Sequence, residues 1–318
     1  MLAFALEFTR YSKPRTHRTL NYSTGSSRLQ TTILSGDRHS AQLTTAELNQ
    51  IIDLDRYPLN QLDSPKGQAL VTQCQRDLDA HAASTLHNFI RPDAVERLTK
   101  EAKALIPSSY RFIGKPRQTY PDADPTSEQD PIAQSVRGIK HPNSNNQVLN
   151  YQIPNNSDLR VMFLWPQLCE FVRRVRRVET LYTSQCPHLG LTMKAAFEGD
   201  NDGWHYDPND GVVTLLLQSP DEGGEFEYAP NIRSKTNENY EGVKRLFDDP
   251  DKVGIRVPQN PGTLTFFNGR NSMHRVRPVG KTLKPRIVGI FSFDQRPDQI
   301  FGENYIRMIQ ALPQGAPF

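Results

Sequence analysis

Hydrophobic positions change their period once along this chain. Behind Pro92, the apolar residues Ala94, Val95, Leu98, Ala102 and Leu105 recur at helical spacing, and Pro107 ends the run. Residues 159–181 repeat the pattern more strongly. Val161, Phe163, Leu164, Leu168, Phe171, Val172, Val175 and Val178 are available for burial against a sheet, which predicts one amphipathic helix. A short helix carrying Ile51, Ile52 and Leu54 is expected behind a cap at Thr44 or Thr45, and another over 69–78 leads into a strand at 84–90. From Leu189 onward the signal is that of strands, predicted at 191–198, 212–218, 224–228, 262–267 and 286–293.

Polar tracts separate these elements. Residues 117–156 are dense in Pro, Asp, Asn and Ser and are expected to cross the surface as long loops, of the kind that roof an active site. A polar insertion between Pro230 and Pro258, with a short helix at 240–247, is expected to pack over the site entrance. With no internal repeat, the economical architecture is α+β and mainly β: helical support over 46–185 buttresses a double-sheet barrel over 186–296, within one domain spanning 46–318.

Composition narrows the class. A chain of 318 residues with 36% hydrophobic and 23% charged residues is ordinary for a globular protein, and no run approaches the roughly 18 apolar residues of a membrane span. Lys+Arg of 38 against Asp+Glu of 35 leaves +3, so no membrane or nucleic-acid partner is expected. The basic cluster Arg173, Arg174, Arg176 and Arg177 reads as a solvated helix face, because no aromatic residues interleave it. Three cysteines without a Cys-X-X-Cys pair fit a reducing, cytoplasmic setting. Residues 1–45 read as a flexible basic arm, with Arg10, Lys13, Arg15, Arg18, Arg28 and Arg38 against Glu7 and Asp37; the pattern has only a loose likeness to an organelle transit peptide.

The chemistry concentrates in His205-Tyr206-Asp207, His274 and Arg286. In an extended segment residues i and i+2 share a face, so His205 and Asp207 can converge on one ion while Tyr206 points away into the core. The same Asp207 also opens a respectable turn over 207–211. With His274 from a distant strand, the set is the 2-His-1-carboxylate face of a non-haem Fe(II), which leaves three positions open. Arg286 opens the apolar strand Ile287-Val288-Gly289-Ile290-Phe291 and is suited to bidentate capture of a carboxylate. Arg275 and Arg277 are the alternatives, although alternation puts both opposite His274.

At this point the sequence resembles a family. Gly199-Asp200-Asn201-Asp202-Gly203-Trp204-His205-Tyr206-Asp207, the run from Thr214 to Pro230 containing Gly223-Gly224-Glu225-Phe226-Glu227, and Phe267-Asn268-Gly269-Arg270-Asn271-Ser272-Met273-His274 are similar to the iron(II)/2-oxoglutarate-dependent oxygenases. The similarity spans about residues 84–295 and is specific over 199–293. It is greatest to hydroxylases and halogenases of free amino acids.

The resemblance implies a double-stranded β-helix (jelly-roll, cupin-like) fold, Fe(II) held by His205, Asp207 and His274, and the distal carboxylate of 2-oxoglutarate on Arg286. It also implies O2 as oxidant and a small-molecule substrate, hydroxylated by default, with desaturation or cyclisation needing only a different pose. Halogenating members carry a small residue where this chain has Asp207, so halogenation is disfavoured. The family's Arg-X-Ser reads Arg286-Ile287-Val288 here, and Thr265 or Thr214 is expected to supply the hydroxyl. Candidate substrate contacts are Arg137, Arg275 and Glu227, with Trp204 as pocket wall or core. The alternatives are a nucleic-acid demethylase of the same superfamily, which would need a basic groove, and a non-catalytic ligand-binding barrel.

Overall fold

The computed structural model describes residues 44–120, 129–207 and 212–310. Residues 1–43, which make up nearly all of the expected basic arm, lie outside the described residues.

The chain begins with helices. Helix α1 (Thr45–Asn49) starts at Thr44, whose side chain closes a capping box with Glu47. Helix α2 (Pro65–His81) leads through Ala82, at φ 57°, into strand β1 (Ala83–Leu86), shorter than the expected 84–90. Helix α3 (Pro92–Leu105) follows the predicted periodicity. The long helix expected over 159–181 is instead two, α5 (Asp158–Leu164) and α6 (Pro166–Arg176). Pro166 lacks an N–H and forces the preceding Trp165 into extended backbone, so the helix ends and restarts there.

Residues 117–156 are the larger correction. Among the described residues of this stretch, 131–138 and 140–148 are helix and strand rather than surface loop. Strand β2 (Tyr110–Gln118) and strand β3 (Lys140–Val148) form an antiparallel hairpin with helix α4 (Pro131–Gly138) between them. Strand β3 lies inside the sheet: β2 runs along one edge, and the other edge pairs first with β6 (Asn201–His205) and then with β5 (Leu191–Ala196). A hydrophobicity pattern misses this strand because three of its four buried side chains, Asn143, Asn145 and Gln147, are polar.

The remaining strands are β7 (Val212–Gln218), β8 (Phe226–Ala229), β9 (Ile255–Arg256), β10 (Leu264–Phe267), β11 (Met273–Val276) and β12 (Arg286–Asp294). A two-residue β4 (Tyr182–Thr183) pairs with the end of β12. The main path runs β1-β10-β7-β12-β5-β3-β6-β11-β8-β9. One curved antiparallel layer, β10-β7-β12-β5, faces a second, β6-β11-β8-β9, and β3 bridges them. This is the double-stranded β-helix.

The helices cover the outer face of the first layer. Phe163 of α5 lies 6.0 Å from Phe291 and 5.9 Å from Phe293, and Phe171 of α6 meets Phe266 edge-on at 5.5 Å. Each such buried ring contributes roughly 1.5–3 kcal/mol of transfer free energy. Helix α5 approaches so closely that a Cβ at Gly289 would stand 2.9 Å from Leu159 Cδ1. The arginines of α6 are tied down rather than offered to a partner: Arg173 and Arg174 pair with Glu170, and Arg177 pairs with Asp79.

The second layer is backed by α4 and by α7 (Tyr240–Asp248). Val136, Val243, Leu246, Trp204 and Met273 form their shared core. The insertion between Pro230 and Pro258 thus packs a helix against this layer. Among the described residues, no helix is long and apolar enough to cross a membrane.

Candidate metal centre and its cavity

Strand pairing brings the two histidines together. His205 ends β6 and stands directly opposite His274 of β11 in register, with ring centroids 4.1 Å apart. Both are buried, at 9% and 4% exposure. Asp207 lies just past the end of β6, where its N–H donates to Gly269 O at 3.0 Å. Its Oδ1 is 3.5 Å from His274 Nε2. One ligating atom from each of His205, Asp207 and His274 falls within 4.8 Å of the others, a set able to hold a metal ion.

Backbone carbonyls set the orientation of both imidazoles. His205 Nδ1 is 2.7 Å from Gly203 O, and His274 Nδ1 is 3.0 Å from Ser272 O. A carbonyl only accepts, so each Nδ1 carries the proton and each Nε2 keeps its lone pair. Ligation of a metal through Nε2 requires this tautomer. Gly269 completes the fit: a Cβ there would fall 2.8 Å from Asp207 Cγ and closer still to its Oδ2. The glycine leaves room for the carboxylate.

The three residues open onto a cavity of about 1380 Å³ inside the barrel. Its wall includes Asn143, Asn145 and Gln147 of β3, Lys194 of β5, Asp202 of β6, Thr214 of β7, Thr265 of β10 and Arg286 of β12. Arg286 is 8% exposed, and its Nε has no hydrogen-bond partner. Burial pulls its pKa down to about 10, against the opposing pull of Asp202. A desolvated cation of this kind favours an anion beside it. Lys194 differs in that it is already paired, 3.0 Å from Asp202.

The other sequence candidates are distributed as follows. Thr265 stands opposite Thr214, which in turn pairs with Ile290, so the threonine row is four residues along β12 from Arg286. Arg275 and Arg277 bond to the fully buried Glu227, at 2.6 and 3.2 Å, where Arg256 joins at 3.5 Å. Trp204 is packed in the α4–α7 core under the Arg275 guanidinium, 4.5 Å from its ring centroid. Arg137 donates through Nε to Tyr240 Oη at 2.8 Å, on the cavity wall. The alternative turn over 207–211 runs into residues outside the description.

The polar wall on β3 was absent from the sequence reading, though alternation of Asn143, Asn145 and Gln147 at period two was there to be found. Tyr120 and Arg233, also on the wall, carried no such signal.

An antiparallel double-sheet barrel, with two imidazoles and a carboxylate converging on its cavity and a lone buried arginine in the wall, defines a class: the non-haem iron(II)/2-oxoglutarate oxygenases. More specifically, residues 134–300, just over half of the chain, match the family model described as Halogenase D, and the chain belongs to that family. No curated protein matches it. Among solved structures it is similar to a Pseudomonas putida prolyl-4-hydroxylase, at 15% identity and TM-score 0.43 over 70% of this chain and 99% of that one. It is also similar to SnoN, a non-haem α-ketoglutarate-dependent epimerase from nogalamycin biosynthesis, at 12% identity and TM-score 0.48 over 79% and 92% of the two chains. The carbocyclase SnoK from the same biosynthesis matches at 12% identity and TM-score 0.48, over 71% and 86%.

Proposed function

We propose that the protein oxidises an unactivated C–H bond of a small molecule, a free amino acid or a metabolite derived from one. In this reading His205, Asp207 and His274 hold Fe(II), and Arg286 holds the distal carboxylate of 2-oxoglutarate. The observation that carries it is the pair of Nδ1-to-carbonyl bonds, which turn both Nε2 lone pairs toward the Asp207 carboxylate. Iron(II) with 2-oxoglutarate supplies the oxidising power, reducing O2 while the co-substrate loses CO2 to become succinate and the substrate C–H is oxidised.

The chain's own residues position and exclude. Arg286, isolated from water, presents a planar fork to a carboxylate end. Phe267 and Phe226 flank His274 at 4.7 and 5.7 Å and keep that side of the site apolar. Asp207 fills the carboxylate position, which favours hydroxylation over halide transfer despite the family's name. The cavity wall is mainly apolar with carboxamides, hydroxyls and charged groups set into it, which suits a small molecule oriented by a few polar contacts. The hydrophobic cluster that joins α1, α2, α3, α5 and α6 to β5, β7, β10 and β12 supports reading 46–318 as one domain. Free Cys74, Cys169 and Cys186 fit a reducing, cytoplasmic setting.

The test is anaerobic addition of Fe(II) and then 2-oxoglutarate, followed by air and a panel of free amino acids. A visible charge-transfer band, succinate stimulated by one panel member and a product heavier by one oxygen are expected, all lost in Asp207→Ala. If neither Fe(II) nor 2-oxoglutarate binds, the oxygenase reading is wrong. If both bind but no panel member stimulates succinate, the amino-acid assignment is wrong.

A further inference from the structure

On the Asp207 side of the cavity, two phenols and a guanidinium are assembled with donors left over. The Arg233 guanidinium lies flat on the Tyr206 ring, 3.5 Å from its centroid. Its Nε donates to Arg270 O at 2.8 Å and its Nη1 to Glu238 at 3.2 Å. Its Nη2 makes no hydrogen bond among the described residues. Tyr120 and Tyr206 meet edge-on at 5.8 Å, both are 8% exposed, and both line the cavity. Their hydroxyls are buried and close enough to influence one another, yet neither makes a hydrogen bond of ordinary geometry.

An unpaired buried hydroxyl is costly unless something else bonds to it. A tyrosine hydroxyl keeps its proton at neutral pH, so both phenols are available as donors. Phenolic donors and a guanidinium edge that makes no hydrogen bond among the described residues together match an oxyanion, and the planar guanidinium fork matches a carboxylate.

We propose that Arg233, Tyr120 and Tyr206 form a subsite that holds the carboxylate of the substrate, separate from the Arg286 position at the start of β12. The subsite rests on the oxygenase reading only for the reaction it serves, since its binding step needs no metal. It also orients the substrate: a carboxylate held there directs the rest of the molecule past Asp207 toward the open face of the ligand set.

The experiment is calorimetric titration of the full chain with free amino acids and simple monocarboxylic acids, each beside its primary amide, and with inorganic phosphate. At least one acid is expected to bind, its amide at least about tenfold more weakly. Tyr206→Phe and Arg233→Gln should each weaken the acid about tenfold or more, the loss expected of a hydrogen bond to a charged group. Tyr206→Phe should leave the ligand-free melting temperature nearly unchanged or raised, because the hydroxyl it removes makes no hydrogen bond of ordinary geometry among the described residues. His205→Ala should abolish the charge-transfer band with Fe(II) and 2-oxoglutarate yet keep the preference for acid over amide.

The subsite is overturned if no acid binds, if acid and amide bind alike, if phosphate alone binds, or if the preference survives both Tyr206→Phe and Arg233→Gln. Failure of the oxygenase reading would appear elsewhere, as absence of the band in the wild-type protein.

Discussion

Gly269 and Asp207 are fitted to one another: the N–H of Asp207 donates to the Gly269 carbonyl, and the carboxylate occupies the volume that any larger residue at 269 would need. This coupling links a loop glycine to the iron-binding step. Gly269→Ala is expected to displace the carboxylate and weaken Fe(II) binding at least tenfold. In an Asp207→Gly background the same change should cost much less, because the crowded carboxylate is gone. Equilibrium dialysis of Fe(II) against the four proteins of the cycle measures the coupling, and additive losses would refute it.

Arg286→Gln keeps a polar group of similar reach but removes the charge. Truncating one partner of a buried charged pair costs on the order of 2–5 kcal/mol. The 2-oxoglutarate concentration for half-maximal succinate formation is therefore expected to rise about a hundredfold, with Fe(II) affinity little changed. Equal loss of both affinities would mean that Arg286 supports the metal site instead.

Glu227 anchors Arg275, Arg277 and Arg256 behind β11 while being itself fully buried. Glu227→Gln leaves these cations facing a neutral amide. A loss of about 3–5 kcal/mol in unfolding free energy is expected, read from urea midpoints at constant m-value.

His141 is half-buried against Phe247, its ring 4.8 Å away, and its buried Nε2 has no partner among the described residues. Burial, aided by Arg275, lowers its pKa to about 4 from an ordinary 6.5. Between those values the unfolded chain takes up a proton that the folded chain refuses, so the contribution to stability is complete above pH 6.5 and declines as the pH falls toward 4. His141→Phe should flatten this part of the profile, measured as the difference between urea midpoints at pH 7 and pH 5.

Among the described residues, six of twelve strands, β1, β5, β7, β8, β10 and β12, were legible because they carry β-branched and apolar side chains between turn residues, whereas β6 and β11, which bear the two histidines, were not predicted as strands. The His-X-Asp pair, the distant histidine and the strand-opening arginine were legible because each is a distinctive residue beside a β pattern. Strand β3 was not. Its inward residues line a polar cavity, and hydrophobic periodicity reports only dry interiors. The break at Pro166 was written in the sequence and was overridden there by the strength of the apolar pattern on either side. Tyr120 and Arg233 come from segments more than a hundred residues apart, and nothing local to either announces that the fold stacks them around Tyr206.

Strand β3 contributes Asn143, Asn145 and Gln147 to the cavity but no ligand to the metal set, and it is hydrogen-bonded to both β-layers at once. Part of the cavity wall and the candidate metal ligands thus sit on different strands of one frame. Changes at these three positions can retune what the cavity accepts while the oxidising centre stays as it is. A lineage could move between substrates by drift along a single hairpin, and a library confined to those positions would explore that same freedom in the laboratory.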